Sequence, residues 1–166
     1  MADSTEQVAS AYFRCLASRD ASGMADLWEP GGIDRFPGLT ELQAPHEIRT
    51  WFADLFSAFP DFGAEVLDMV VDGQSAAVRW RATGTFDGNR PFVGLNPNGS
   101  SLDIEGFDLL TVTDGRIVSN HAYLNGADLA RQLGALPPAD SLPDRAMLGA
   151  LNLVTKARDR LAERTR

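Results

Sequence analysis

The chain has 166 residues, 44% of them apolar, and a net charge of −8. That length fits one domain able to bury about 70% of its unfolded surface. The acidic balance excludes a nucleic-acid-binding face, which needs clustered Lys and Arg, and the single cysteine, Cys15, excludes an intrachain disulfide or a thiolate metal cluster.

Ser4 and Gln7 spell a capping box, and the first helix runs from there to about Ser18, with Val8, Ala11, Tyr12, Cys15 and Leu16 on one side. Cys15 reads there as a small buried hydrophobe. The N-terminus lacks a basic segment followed by an apolar core, and no apolar run approaches the roughly 20 residues that span a bilayer. The expectation is a cytoplasmic protein with no membrane partner. MADLWEP is a second short helix stopped by Pro30, and GGIDRFPGL is an irregular strand. Pro45 then opens a third helix, in which Ile48, Trp51, Phe52, Leu55, Phe56 and Phe59 form an apolar stripe.

From Phe62 the hydrophobic period changes from 3.6 to 2. AEVLDMVV and SAAVRWRATGTF form a hairpin across Asp72-Gly73. Alternation turns Ala76, Val78, Trp80, Ala82 and Gly84 one way, and Arg79 and Arg81 the other. Asp87 to Ser100 is a Gly, Pro and Asn-rich loop suited to rimming a cavity. A second hairpin, SLDIEGFDLLTVT and RIVSNHAYL, closes across Asp114-Gly115, and GADLARQLG is a helix ended by Gly134. Beyond PPADS, an amphipathic helix places Leu148, Leu151, Val154 and Leu161 on one side. The expected fold is α+β: three N-terminal helices on a curved antiparallel sheet, forming a cone with an internal pocket, plus a C-terminal helical extension. Residues 1–138 make the cone domain and residues 139–166 the extension.

The second hairpin carries polar groups where apolar strand residues belong, and burying one unpaired costs about 1–3 kcal/mol. Asp108 lies among Ile104, Gly106, Leu110 and Val112, where desolvation raises a carboxyl pKa until the neutral acid can donate to a developing enolate. Tyr12 is its candidate partner donor. His121 can move a proton near neutral pH. Alternation groups it with Ser119, Tyr123 and Asn125, and sets Asn120, Ala122 and Leu124 opposite; the first face, richer in usable groups, is taken as the inner one. Trp51, Trp80 and Phe86 read as cavity lining, with Asp34 and Arg35 at its mouth. His46 reads as solvated. Two histidines 75 positions apart give no metal-ligand spacing, and the sequence holds no G-x-G-x-x-G, P-loop or G-x-S-x-G motif, so neither a metal nor a cofactor is expected.

GGIDRFPGL, EIRTWFADLFSAFPDF, AAVRWRATGTFDG and GFDLLTVTDGRIVSNHAYLNGADLARQLGALP, in this order, resemble the SnoaL-like polyketide cyclases of the nuclear transport factor two-like superfamily. The resemblance covers about Thr5 to Pro138. It implies the α+β cone and a cofactor-independent cyclase, isomerase or lyase acting on a small hydrophobic carbonyl or polyketide-like ligand. It also implies a homodimer. An acidic base usual in such cyclases falls on Asn125, leaving His121 as the nearest titratable replacement, with Asn125 and Tyr123 orienting the ligand. By resemblance to ketosteroid isomerase, the oxyanion tyrosine falls on Tyr12, the oxyanion aspartic acid on Asp108, and the base at or beside Arg35, where a slip of one residue supplies Asp34. Two other readings stay open: a non-catalytic binder of a small hydrophobic ligand, and an epoxide hydrolase using Asp34, Arg79 or Arg81, and Asp108.

Overall fold

The computed structural model describes residues 4–164, with side chains through residue 158. Five helices and six strands follow in the order α1 (Thr5–Ala17), α2 (Ala21–Asp26), β1 (Trp28–Phe36), β2 (Thr40–Gln43), α3 (His46–Ala58), β3 (Gly63–Asp72), β4 (Ser75–Phe86), β5 (Ser100–Thr113), β6 (Arg116–Leu124), α4 (Gly126–Gln132) and α5 (Leu142–Arg164). The expected α+β cone is present. The capping box is formed: the Ser4 hydroxyl accepts from the Gln7 amide, and the Gln7 side chain accepts from the Ser4 amide.

The strands form one sheet in the order β2-β1-β6-β5-β4-β3. Four of the five pairings are antiparallel, but β1 runs parallel to β6. The sheet is therefore mixed, a correction to the all-antiparallel expectation. Parallel pairing needs a long crossover, and here everything from β2 to β5 lies between the two partners. The second helix ends at Asp26, before Trp28 begins β1, so Pro30 sits inside a strand rather than stopping a helix.

Helices α1 and α3 cover the inner face of the sheet. Val8, Tyr12, Phe13 and Leu16 from α1 are buried, as are Ile48, Phe52 and Leu55 from α3, against Val78, Ala82, Leu110 and Ile117 from the strands. Tyr12 sits edge-on to both Phe52 and Trp28, with ring centroids 6.4 Å apart in each pair. Such edge-to-face pairs contribute about 0.5–1.5 kcal/mol each beyond burial.

The parity of β4 is as read from the sequence. Ala76, Val78, Trp80 and Ala82 are buried, while Arg79 and Arg81 point outward into ion pairs with Glu105 at 3.7 Å and Asp103 at 2.6 Å. The parity of β6 is the reverse of the expectation: Asn120 and Ala122 are buried, and Tyr123 is 52% exposed. A bulge between Thr111 and Val112 shifts the β5–β6 register by one residue, so alternation counted from the Asp114-Gly115 turn fails above it. The C-terminal helix exists and its side chains from Leu148 to Arg158 are exposed. Leu161, expected on its apolar side, lies outside the described side chains.

Candidate functional site

Three strands meet at the bottom of the space between the helices and the sheet. Asp34 of β1 is in register with Asn120 of β6, and Asn120 faces Leu110 of β5, two residues along from Asp108. All three polar side chains point inward and are buried: Asp34 and Asn120 completely, Asp108 to 4% exposure. The Asn120 amide nitrogen donates to Asp34 Oδ1 at 3.0 Å and to Asp108 Oδ2 at 2.8 Å. One amide thus spends both its N–H groups holding two carboxyls, while its own oxygen has no protein partner. Trp80 Nε1 donates to Asp108 Oδ1 at 2.7 Å. The Tyr12 hydroxyl donates to Asp34 Oδ2 at 3.3 Å.

Gly106 explains how Trp80 reaches Asp108. The two are cross-strand neighbours, and a Cβ at 106 would fall within the Trp80 indole ring. Without a side chain there, the indole lies across β5 and delivers its N–H to the carboxyl two residues on.

The two carboxyls are not equivalent. Burial pushes Asp34 up from 3.8 to about 8, the nearby Asp108 charge adds to the rise, and the hydrogen bonds from Asn120 and Tyr12 offset part of it. Burial pushes Asp108 to about 6, opposed by its bonds from Trp80 and Asn120. Burial raises both, and Asp34 holds its proton to higher pH than Asp108. Tyr12 is raised well above its ordinary value, by burial and then by the two acids, so its hydroxyl stays protonated.

Above this floor is a cavity of about 70 Å³. Apart from Tyr12, Trp51, Trp80 and Asp108, its lining is aliphatic and phenyl: Leu16, Phe52, Leu55, Phe62, Leu102 and Ile104 make its body. Phe36 stacks on Trp51 at 4.9 Å, and Trp51 meets Phe92 edge-on at 5.3 Å. Phe92 comes from the loop between β4 and β5, as the sequence anticipated for a rim. Gly88 and Asn98 tie that loop down, through the Gly88 amide to Ala58 O at 3.0 Å and the Asn98 amide to Leu133 O at 3.0 Å. Leu39, Leu124 and Leu129 complete the wall, and the same residues border an outer groove beside α4.

The structure thus gathers Tyr12, Asp34, Asp108, Trp80 and Trp51 in or behind one cavity. Asp34 is not at the mouth, as expected, but at the floor behind Tyr12. His121, expected as the proton-abstracting group, lies on the outer sheet face with its ring stacked near Tyr123, centroids 6.4 Å apart. It is in register with outward-facing Leu109 and Arg35, so it does not line the cavity. Tyr123 is on that outer face too. Arg35 points outward into an ion pair with Glu41 at 3.0 Å. Asn125 caps α4, accepting from the Asp128 amide at 3.1 Å, and is exposed. A residue that starts a helix is favoured as Asn for that reason alone. Phe86 is fully buried against Phe59, centroids 5.0 Å apart, and does not line the cavity. Arg79 and Arg81 are outside, so no Asp-Arg-Asp set is assembled. Asn120 was missed as a site residue; its sequence signal was the opposite β6 parity, which turns Asn120, Ala122 and Leu124 inward. Among the described residues, no three His, Cys, Asp or Glu side chains gather as a metal site, and no helix is long and apolar enough to cross a membrane.

Known structures share this architecture. AclR, a putative hydroxylase from Streptomyces galilaeus, matches with a TM-score of 0.69 at 21% identity, over 94% of this chain and 95% of its own. A putative SnoaL-like polyketide cyclase from Jannaschia sp. CCS1 matches with a TM-score of 0.67 at 24% identity, over 80% and 94%. Wild-type IdmH, a putative polyketide cyclase from Streptomyces antibioticus, matches with a TM-score of 0.62 at 25% identity, over 78% and 98%. Among curated proteins, none matches this chain. The model of the SnoaL-like polyketide cyclase family matches residues 6–133, most of the chain and every element that builds the cavity, and the chain belongs to that family.

Proposed function

We propose that this protein is a cofactor-independent cyclase or isomerase that moves a proton on a small apolar carbonyl compound of polyketide type. The observation that carries the reading is the pair of buried aspartates clasped by one amide at the floor of an apolar chamber, with Asp34 holding its proton to higher pH than Asp108. Asp108 lines the cavity and is the base; Asp34 sits behind Tyr12 and is the acid. This reverses the expectation in which Asp108 was the neutral donor, because Trp80 and Asn120 both donate to its carboxylate and favour the ionised form.

Asp108 removes a proton from the carbon beside a substrate carbonyl, and the electron pair moves to the carbonyl oxygen as an enolate. Tyr12 donates to that oxygen, and the Asp34 carboxyl can donate in turn to the Tyr12 oxygen. The enolate carbon then either adds to a second carbonyl, closing a ring, or is reprotonated at a conjugated position by Asp108. In the ring closure the new alkoxide takes up the proton Asp108 gained, so the pair ends as it began. General-base catalysis of this kind contributes about 10²–10⁴-fold. The apolar walls keep water from competing for the proton and strengthen each hydrogen bond. A cavity of about 150 Å³ is needed for benzene, so ligand entry requires the wall to open. Leu39 and Phe92, both on connecting segments, are the groups placed to move.

The test uses 2-tetralone, a bicyclic apolar ketone with acidic α-protons, in deuterium oxide. Wild-type protein should accelerate α-exchange, Asp108→Asn should lose at least about 100-fold, and Tyr12→Phe should lose about 100-fold. Exchange by Asp108→Asn at the wild-type rate would remove this mechanism.

A further inference from the structure

The cavity is smaller than any guest its walls would suit. It offers about 70 Å³, under half of the about 150 Å³ that holds benzene, whereas a pocket for a drug-sized ligand runs to about 300–1,000 Å³. The missing space lies next door. Between the end of β1 and the start of α4 is a groove of about 250 Å³, whose own lining includes Pro37, Ala122, Gly126 and Ala130. Phe36, Leu39, Leu124 and Leu129 line both spaces and so form the partition between them.

Strand geometry aims the groove at the two acids. Residues two apart on a strand share a face, so Phe36 follows Asp34 along the inner side of β1, and Ala122 and Leu124 follow Asn120 along that of β6. The groove thus continues the seam that carries the Asp34–Asn120 hydrogen bond. The partition is uneven. Phe36 and Leu129 are each 8% exposed, whereas Leu39, on the turn between β1 and β2, is 38% exposed. The Leu39 amide donates to Phe36 O at 2.9 Å, which holds the turn backbone and leaves the side chain to swing. Its rotation joins the two spaces into one of ligand size. The other opening beside Leu39, toward Phe92, is bordered by Thr40 and by Asp54, which pairs with Arg90 at 3.0 Å. The groove beside α4 has no charged or hydroxyl side chain in its lining, so an apolar guest is better matched there.

We infer, resting on the chemistry proposed above, that this groove is a second binding subsite and that the substrate is a two-part apolar ketone. Its carbonyl end occupies the cavity at Tyr12 and Asp108, and an apolar extension of several carbons passes Leu39 into the groove. Residues remote from the carboxyls then set the length of ligand that is taken.

Isothermal titration calorimetry with 2-tetralone and 6-butyl-2-tetralone, beside α-exchange of both ketones in deuterium oxide, tests the subsite. Gly126 lines the groove without a left-handed φ, and a Cβ there would meet nothing within 4 Å. Gly126→Leu therefore fills groove space, and Ala130→Leu does so from one turn further along α4; either suffices if the other loses its native circular dichroism. Wild type should bind the butyl ketone at least about 10-fold more tightly than 2-tetralone, through burial of the four added carbons. Both variants should erase that gain while leaving binding and exchange of 2-tetralone within about twofold of wild type. A wild type that binds the two ketones equally, or binds neither, overturns the subsite. A gain that survives both variants overturns it as well, by placing the extension at the Phe92 rim. Variants that lose both ketones alike also overturn it, because the groove would then be no separate part of the site. Absence of exchange with the binding pattern intact would instead remove the proposed chemistry and leave the subsite standing.

Discussion

Replacing Asp34 with Asn tests the protonation state on which the proposed chemistry rests, and does so without a substrate. Asn is the same size, keeps an acceptor for Asn120 and turns a donor toward the Tyr12 oxygen, but cannot ionise. In the wild type the Asp34 carboxyl titrates near 8 folded and near 3.8 unfolded. Between those values the folded chain binds the extra proton, so stability falls as pH rises, by up to about 1.4 kcal/mol per pH unit. Asp108 complicates the window below its own value of about 6, and it is present in both proteins. From pH 6 to pH 8 the wild type should therefore lose about 2 kcal/mol more than Asp34→Asn, allowing for the flattening as the folded group itself ionises. The assay is urea denaturation at both pH values, followed by the fluorescence of Trp28, Trp51 and Trp80. Parallel losses in the two proteins would mean that Asp34 is not a protonated buried acid, and the assignment of acid and base would fail with it.

Trp80→Phe removes a hydrogen bond that holds Asp108 toward its ionised form, so the acidic limb of the exchange rate should move to higher pH in a rate–pH profile. Gly106→Ala places a methyl in the Trp80 ring; displacing the indole should cost about 1–3 kcal/mol in chemical denaturation and weaken turnover as well. His121→Ala should leave α-exchange within about twofold of wild type, since its ring lies across the sheet from the cavity. A large loss would put the chemistry on the outer face.

Much of the fold was legible because periodicity reports which side of an element meets the core. The capping box at Ser4, the stripe of α3 and the inward row of Trp80 in β4 follow from local patterning, and all are present. The site was legible in part, and the failures share one cause. Alternation says that Asn120 and His121 face opposite ways, but not which faces in; that is fixed by the bulge after Thr111 and by the parallel seam with β1. Chemical usefulness was the wrong guide, because His121, Tyr123 and Asn125 are polar in order to meet water or to cap a helix. The same seam explains Asp34. Only its register with Asn120, across 86 positions of sequence, carries it from an apparent mouth to the floor. No local pattern encodes a pairing that distant.

Asp34 and Asp108 are held by β1 and β5, the strands on either side of β6, and clasped by Asn120 of β6 between them, whereas Leu39 and Phe92 of the wall belong to connecting segments. In the proposed reaction, proton transfer and choice of guest are thus built into separately replaceable parts of the molecule. Substitutions in the rim can retune which molecule enters while the spacing of the two carboxyls stays as the hydrogen-bond ladder sets it. A scaffold divided in this way can diversify its substrates over evolutionary time without rebuilding its reactive centre.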